Sequence, residues 1–212
     1  HWHCHFVQKL ETEPELEFRS MHPFCDELRT KEDSELIERW IKGQTGFPFL
    51  DACISYLNSN GWINFRMRAM IMSFASYNLW QPWQKTSPLL AELFTDFEPG
   101  IHISQVQMQS GVTGINLPRI YSVFKQSLDQ DPTAEWTKKI IPQLENVETD
   151  LIHNAELRDL YFEQIVDPKL SAKKARDTIW AMRKNKDFKK IAREVYLKHG
   201  SRRRQQFNRA SN

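Results

Sequence analysis

The chain has 212 residues, 40% of them hydrophobic, with 13 Phe, 7 Trp and only 7 Gly. That length buries a real core in one large or two small domains, and the aromatic-rich, glycine-poor make-up argues against a sandwich or barrel and for helices. The net charge of +2 conceals a division: residues 172–212 hold 14 Lys/Arg against 3 Asp/Glu, leaving 15 against 24 in the rest, so the C-terminal segment is a candidate surface for an anionic polymer or else a solvated basic helix. No apolar run reaches a membrane span, and three cysteines (Cys4, Cys25, Cys53) without CxxC spacing read as reduced thiols of a cytoplasmic protein.

The chain opens on helical sequence with no Met and no capping residue, which reads as a piece of a longer polypeptide. Residues 34–42 form a short helix with Ser34 as its N-cap, and Pro48 starts another that runs to about Asn58, followed by a turn through Gly61. Residues 63–80 make the most apolar helix. Pro82 and Pro88 bracket a break before a helical piece at Leu89–Phe94. From Glu98 to Pro118 the sequence is polar, rich in Gln and without sustained period, as expected of a functional loop region. Residues 132–144, 152–163 and 171–198 are further helices, the last strongly basic. The fold class is all-α, with a helical domain over 1–204 and a disordered tail over 205–212.

Two arginines, Arg66 and Arg68, stand at the mouth of the apolar 63–80 helix. A buried cation needs a partner. The acids available to Arg68 are Asp96 and Glu98, in Asp96-Phe97-Glu98-Pro99, with His102 one turn on. Either these acids are solvated loop residues, or they and His102 line a polar pocket against the apolar helix with Arg68 paired to one of them. His1, His3, Cys4 and His5 are ligand types, but helical neighbours point to different faces, so no metal site is read there. Gly43-x-x-Gly46 is a tight turn, and no P-loop, GxGxxG or GxSxG occurs. The tryptophans are core by default.

Several ordered blocks together resemble the helical, flavin-binding half of the photolyase/cryptochrome family. They are Trp40-x-x-Gly43-Gln44-Thr45-Gly46-Phe47-Pro48-x-x-Asp51-Ala52, Leu57-Asn58-x-x-Gly61-Trp62-x-x-x-Arg66-x-Arg68, Asp96-Phe97-Glu98-Pro99, and Lys125-Gln126-Ser127-Leu128-Asp129-Gln130-Asp131-Pro132 leading to Ile141-Pro142-Gln143-Leu144. The Lys125–Pro132 block is especially similar to DASH-type cryptochromes. The resemblance implies a U-shaped FAD in a helical bowl, with UV-damaged DNA docking over its mouth. It implies that Arg68 and Asp96 pair beside the flavin N5 edge, with Glu98, His102 and His3 near the cofactor. Trp2, Trp62, Phe65, Arg66, Lys125 and Gln126 fall at DNA- or lesion-facing positions, and Trp83 at the middle of the photoreduction chain.

The sequence also departs from the family. Phe65 replaces an asparagine, Val106 stands at the inner tryptophan position, and Met108 stands where a lesion-facing aromatic belongs. The phosphate-binding Ser/Thr loop belongs before Trp2, so a missing N-terminal portion of the same polypeptide is expected as a partner. Three readings follow. The parent protein is a light-driven pyrimidine-dimer photolyase, or it is a cryptochrome-like photoreceptor, or this chain alone is an apo piece.

Overall fold

The computed structural model describes residues 2–200, except for the side chain of Trp2; the expected tail over 205–212 lies outside the described residues. Among them there are eleven α-helices and no strand: α1 Trp2–Thr12, α2 Ser34–Ile41, α3 Pro48–Asn60, α4 Phe65–Ser73, α5 Trp83–Leu93, α6 Pro99–Ser110, α7 Val123–Gln130, α8 Glu135–Ile140, α9 Thr149–Asn154, α10 Pro168–Lys184 and α11 Lys186–His199. None of these helices is long and apolar enough to cross a membrane.

The centre is α3 and α4. Trp40, Leu50, Ile54, Leu57, Ile71 and Phe74 are wholly buried there, and the Trp40 indole N–H donates to the Ile71 carbonyl at 3.3 Å. The Gly43–Asp51 block is a structural clasp. Asp51 accepts from the Thr45 and Gly46 backbone N–H groups, the Thr45 hydroxyl (2.6 Å) and Tyr161 OH (3.1 Å). Burial nevertheless pushes its carboxyl up to about 6 against those bonds.

Helix boundaries follow side-chain caps. Asp33, not Ser34, caps α2 by accepting from Leu36 N–H. Asn64 caps α4, which widens into a π-helical turn over Phe74–Asn78 and so stops short of residue 80 as an α-helix. Pro88 lies inside α5 rather than at a break; it sits on the exposed side, where a lost backbone bond is cheapest. The basic 171–198 stretch is two helices, parted where Asn185 turns to cap α11. The predicted helix over 152–163 is α9 and a short 3₁₀ turn at Arg158–Leu160.

The largest correction concerns 98–118. Its first half is α6, capped by Glu98, begun by Pro99 and closed by Gly111 at φ +71°. Its inward side carries His102, Gln107, Gln109 and Ser110 alongside Val106. Polar residues on the buried face erase the apolar period that marks a helix in sequence. Gly100 lets α1 cross this helix closely, since a Cβ there would lie 2.7 Å from Val7 Cα.

Candidate functional site

Between α4, α5 and α6 lies a cavity of about 150 Å³. Ala69, Met72, Leu90, Ile101 and Val106 give it apolar walls, Phe94 and Phe97 flank it, and Arg68, Asp96, Glu98, His102, Gln105 and Gln109 supply its polar groups. The loop between α5 and α6 closes one side. It is anchored by Gly61, the left-handed C-cap of α3 (φ +69°), whose carbonyl accepts from Thr95 N–H at 2.8 Å.

That anchoring delivers Asp96 to Arg68. Arg68 Nη2 donates to Asp96 Oδ2 at 2.9 Å and Nε to the Ile63 carbonyl at 2.6 Å, with the guanidinium 4.3 Å from the Phe94 ring centroid. The ion pair is at the cavity mouth, not buried: the two side chains are 24% and 47% exposed. It therefore contributes about 1 kcal/mol or less to stability.

Glu98 lines the cavity, but both its carboxylate oxygens are engaged by α6 backbone N–H groups, Gly100 at 3.1 Å and Ile101 at 2.7 Å. Its direct work is capping. His102 is buried between Phe94 and Phe97, with Nε2 facing the Ser87 hydroxyl (3.0 Å) and carbonyl (3.1 Å). The carbonyl only accepts, so the proton is assigned to Nε2. Burial, with a smaller push from Arg68, lowers the imidazole to about 4, so it is neutral at pH 7 and does not titrate in the physiological range.

Several of the residues expected to face DNA are exposed. Trp62 is 51% exposed and Phe65 57% exposed. Arg66 is exposed, one turn-face away from Arg68. Lys125 is exposed on α7, whereas Gln126 is buried beside it with an unpartnered carbonyl oxygen and is not on the surface as a DNA contact requires. His3 is exposed on α1 and does not line the cavity; the Trp2 side chain lies outside the described residues. Trp83 is a core residue, its indole N–H donating to Ser20 Oγ at 3.0 Å, and it does not line the cavity either. Sequence reasoning missed Met72, Leu90, Gln105 and Gln109. The signal available was the 98, 101/102, 105/106, 109 spacing, a helical stripe hidden by its polarity.

Residues 1–181 match a family model described as the FAD binding domain of DNA photolyase. The chain belongs to that family. The photolyase FAD-binding domain is also the fold of its solved neighbours. A photolyase from Sulfolobus tokodaii, crystallised with two FAD molecules, superposes with a TM-score of 0.80 at 23% identity, over 85% of this chain and 42% of that one. A deoxyribodipyrimidine photo-lyase of Alkalihalophilus pseudofirmus is 28% identical over 143 residues, 66% of this chain and 30% of that protein. A cryptochrome DASH of Gloeobacter violaceus is 29% identical over 124 residues, 58% of this chain and 25% of that protein. The chain thus spans about a third or less of the length of these curated relatives.

The cofactor of this family is FAD, and the cavity fits one end of it. Apolar walls suit the faces of a flat ring, Arg68 offers donors to ring carbonyls, and the orphaned oxygens of Gln105 and Gln109 await N–H groups.

Proposed function

We propose that this chain is the flavin-holding helical domain of a DNA photolyase, a lyase that uses blue light to split pyrimidine dimers. The carrying observation is one juxtaposition: an apolar cavity with an Arg68–Asp96 pair at its mouth, exposed Phe65 in its lining, exposed Trp62 stacked beside Arg68, and exposed Arg66 next to Phe65 in the chain. FAD, when bound in reduced form, supplies the photoexcited electron that opens the dimer.

The protein's own residues then have separable tasks. Arg68 holds the polar edge of the ring, and Asp96 fixes Arg68 while balancing its charge. His102, neutral and tied to Ser87, is a wall that keeps Phe94 and Phe97 in place; it holds its proton rather than moving it. Trp62 and Phe65 give stacking surfaces to bases turned out of the duplex. Arg66, Lys125 and the exposed lysines and arginines of α10 and α11 contact phosphates, giving salt-sensitive, largely sequence-independent binding. Trp83 serves as a relay for reducing the flavin from within the core. His3 and Glu98 act through α1 and the α6 cap. The upstream portion of the polypeptide, together with Trp2, completes the bowl around the rest of FAD. The domain spans residues 1–204 and works in the cytoplasm.

Purified chain is loaded with FAD, reduced and mixed with an oligonucleotide carrying one cyclobutane dimer. Light-dependent loss of the dimer, absent in the dark, is the expected result. Flavin uptake with no repair would instead favour a cryptochrome-like photoreceptor. The observation that favours this second reading is Val106, an aliphatic residue lining the cavity where an inner tryptophan belongs. No flavin uptake at all would leave the chain as an apo piece.

A further inference from the structure

Helix α6 carries three glutamines whose environments differ sharply. Gln107, on the side away from the cavity, is saturated: its oxygen accepts from Met21 N–H at 2.7 Å, and its nitrogen donates to the Leu16 and Arg19 carbonyls at 2.7 and 2.9 Å. Gln105 and Gln109, one turn apart on the cavity side, each bury a side-chain oxygen that has no hydrogen-bond partner. Gln109 is only 3% exposed. A buried acceptor left unmade costs free energy, and a sequence can remove that cost with a leucine. Keeping two such acceptors on one wall of one cavity points to a ligand that brings donors to them. Each Glu98 oxygen, by contrast, already accepts one α6 N–H.

We infer that Gln105 and Gln109 are flavin-reading residues, which accept hydrogen bonds from ring N–H groups and thereby hold the reduced ring more tightly than the oxidised one. This rests on the flavin reading above and extends it. An oxidised isoalloxazine has a single ring N–H, at N3, while N1, N5 and both carbonyl oxygens only accept. Uptake of two electrons with a proton at N5 adds a second donor, whether or not N1 is also protonated. Two orphaned acceptors are thus half satisfied by the oxidised ring and fully satisfied by the reduced one. Hydrogen bonds to ring nitrogens are among the ways a protein sets flavin electronics. Arg68, on the opposite polar side of the cavity, supplies donors and serves the ring's carbonyls in either state.

The test is a potentiometric titration of the FAD-loaded chain against Gln105→Leu and Gln109→Leu, with the thermal stability of each apo protein measured in parallel. Each substitution lowers the midpoint potential of the bound flavin, with a tenfold loss of preference for the reduced ring read as about 30 mV. The apo variants are as stable as the parent or more so, because an unpaired oxygen has been removed. Where Gln109→Leu fails to fold, Gln109→Met and the less buried Gln105→Leu carry the test. Variants that bind both redox states equally weakly, with the potential unmoved, overturn the inference and leave the flavin site standing. A parent chain that takes up no flavin overturns both.

Discussion

The acid limb of the stability curve isolates one residue of the site. His102 is 8% exposed and titrates at about 4, against an ordinary value of 6.5, because burial disfavours the imidazolium. A histidine depressed in the folded state contributes stability that is fully present above its unfolded value and is lost as the pH falls toward 4. From the two values this loss reaches about 2.5 kcal/mol at about pH 4.5. His22 is shifted in the same direction and His199 likewise, to about 4, so the parent loses more than this in total. His102→Gln keeps an N–H donor for the Ser87 carbonyl but cannot ionise. Urea unfolding of both proteins at pH 7 and about pH 4.5 then gives the difference directly, and the variant retains about 2.5 kcal/mol more of its neutral-pH stability. Equal acid losses in the two proteins, or an imidazole titrating near 6.5 by NMR, would refute the burial argument.

Asp51 runs the other way. Its carboxyl is raised to about 6 by burial, so its contribution is complete at low pH and lost as the pH rises through about 6. Carbon-13 titration should place its midpoint near that value; a midpoint below the ordinary carboxylate range would mean that the Thr45, Gly46 and Tyr161 bonds outweigh desolvation. Gly61→Ala puts a Cβ into a left-handed residue and 2.4 Å from Thr95 Cγ2. It costs at least ~1–2 kcal/mol, and Thr95→Ser in the same chain recovers only the contact part; a loss indistinguishable from zero would show that the anchor of the 94–98 loop is not needed. Arg66→Ala weakens DNA binding evenly across sequences and reduces the salt slope by about 1. An unchanged slope in a fluorescence titration would remove Arg66 from the phosphate contacts.

The helical class was legible from local rules, with Gly61 and Pro48 marking turns and starts; the residues alone offered Arg68 either Asp96 or Glu98, and the choice of Asp96 came with the family resemblance. The pair's exposure was not legible, because it depends on how far the 94–98 loop stands off α4. Helix α6 was hidden for a different reason. Hydrophobic periodicity reports a helix that buries apolar residues, and this one turns glutamines and a histidine inward. Pro88 misled in the same way, marking a break where a solvent-facing turn absorbs it.

The sequence by itself determined where the chain turns and starts helices, as at Gly61 and Pro48, since those depend on neighbours a few positions away, and its ordered blocks carried the family. Only the tertiary structure decided what each polar residue is for. His102 faces Ser87 on another helix, Gln126 is inside, and the side-chain oxygens of Gln105 and Gln109 are left without partners at a cavity wall. Spacing along a chain fixes the face of a helix, but the partners of that face come from other helices.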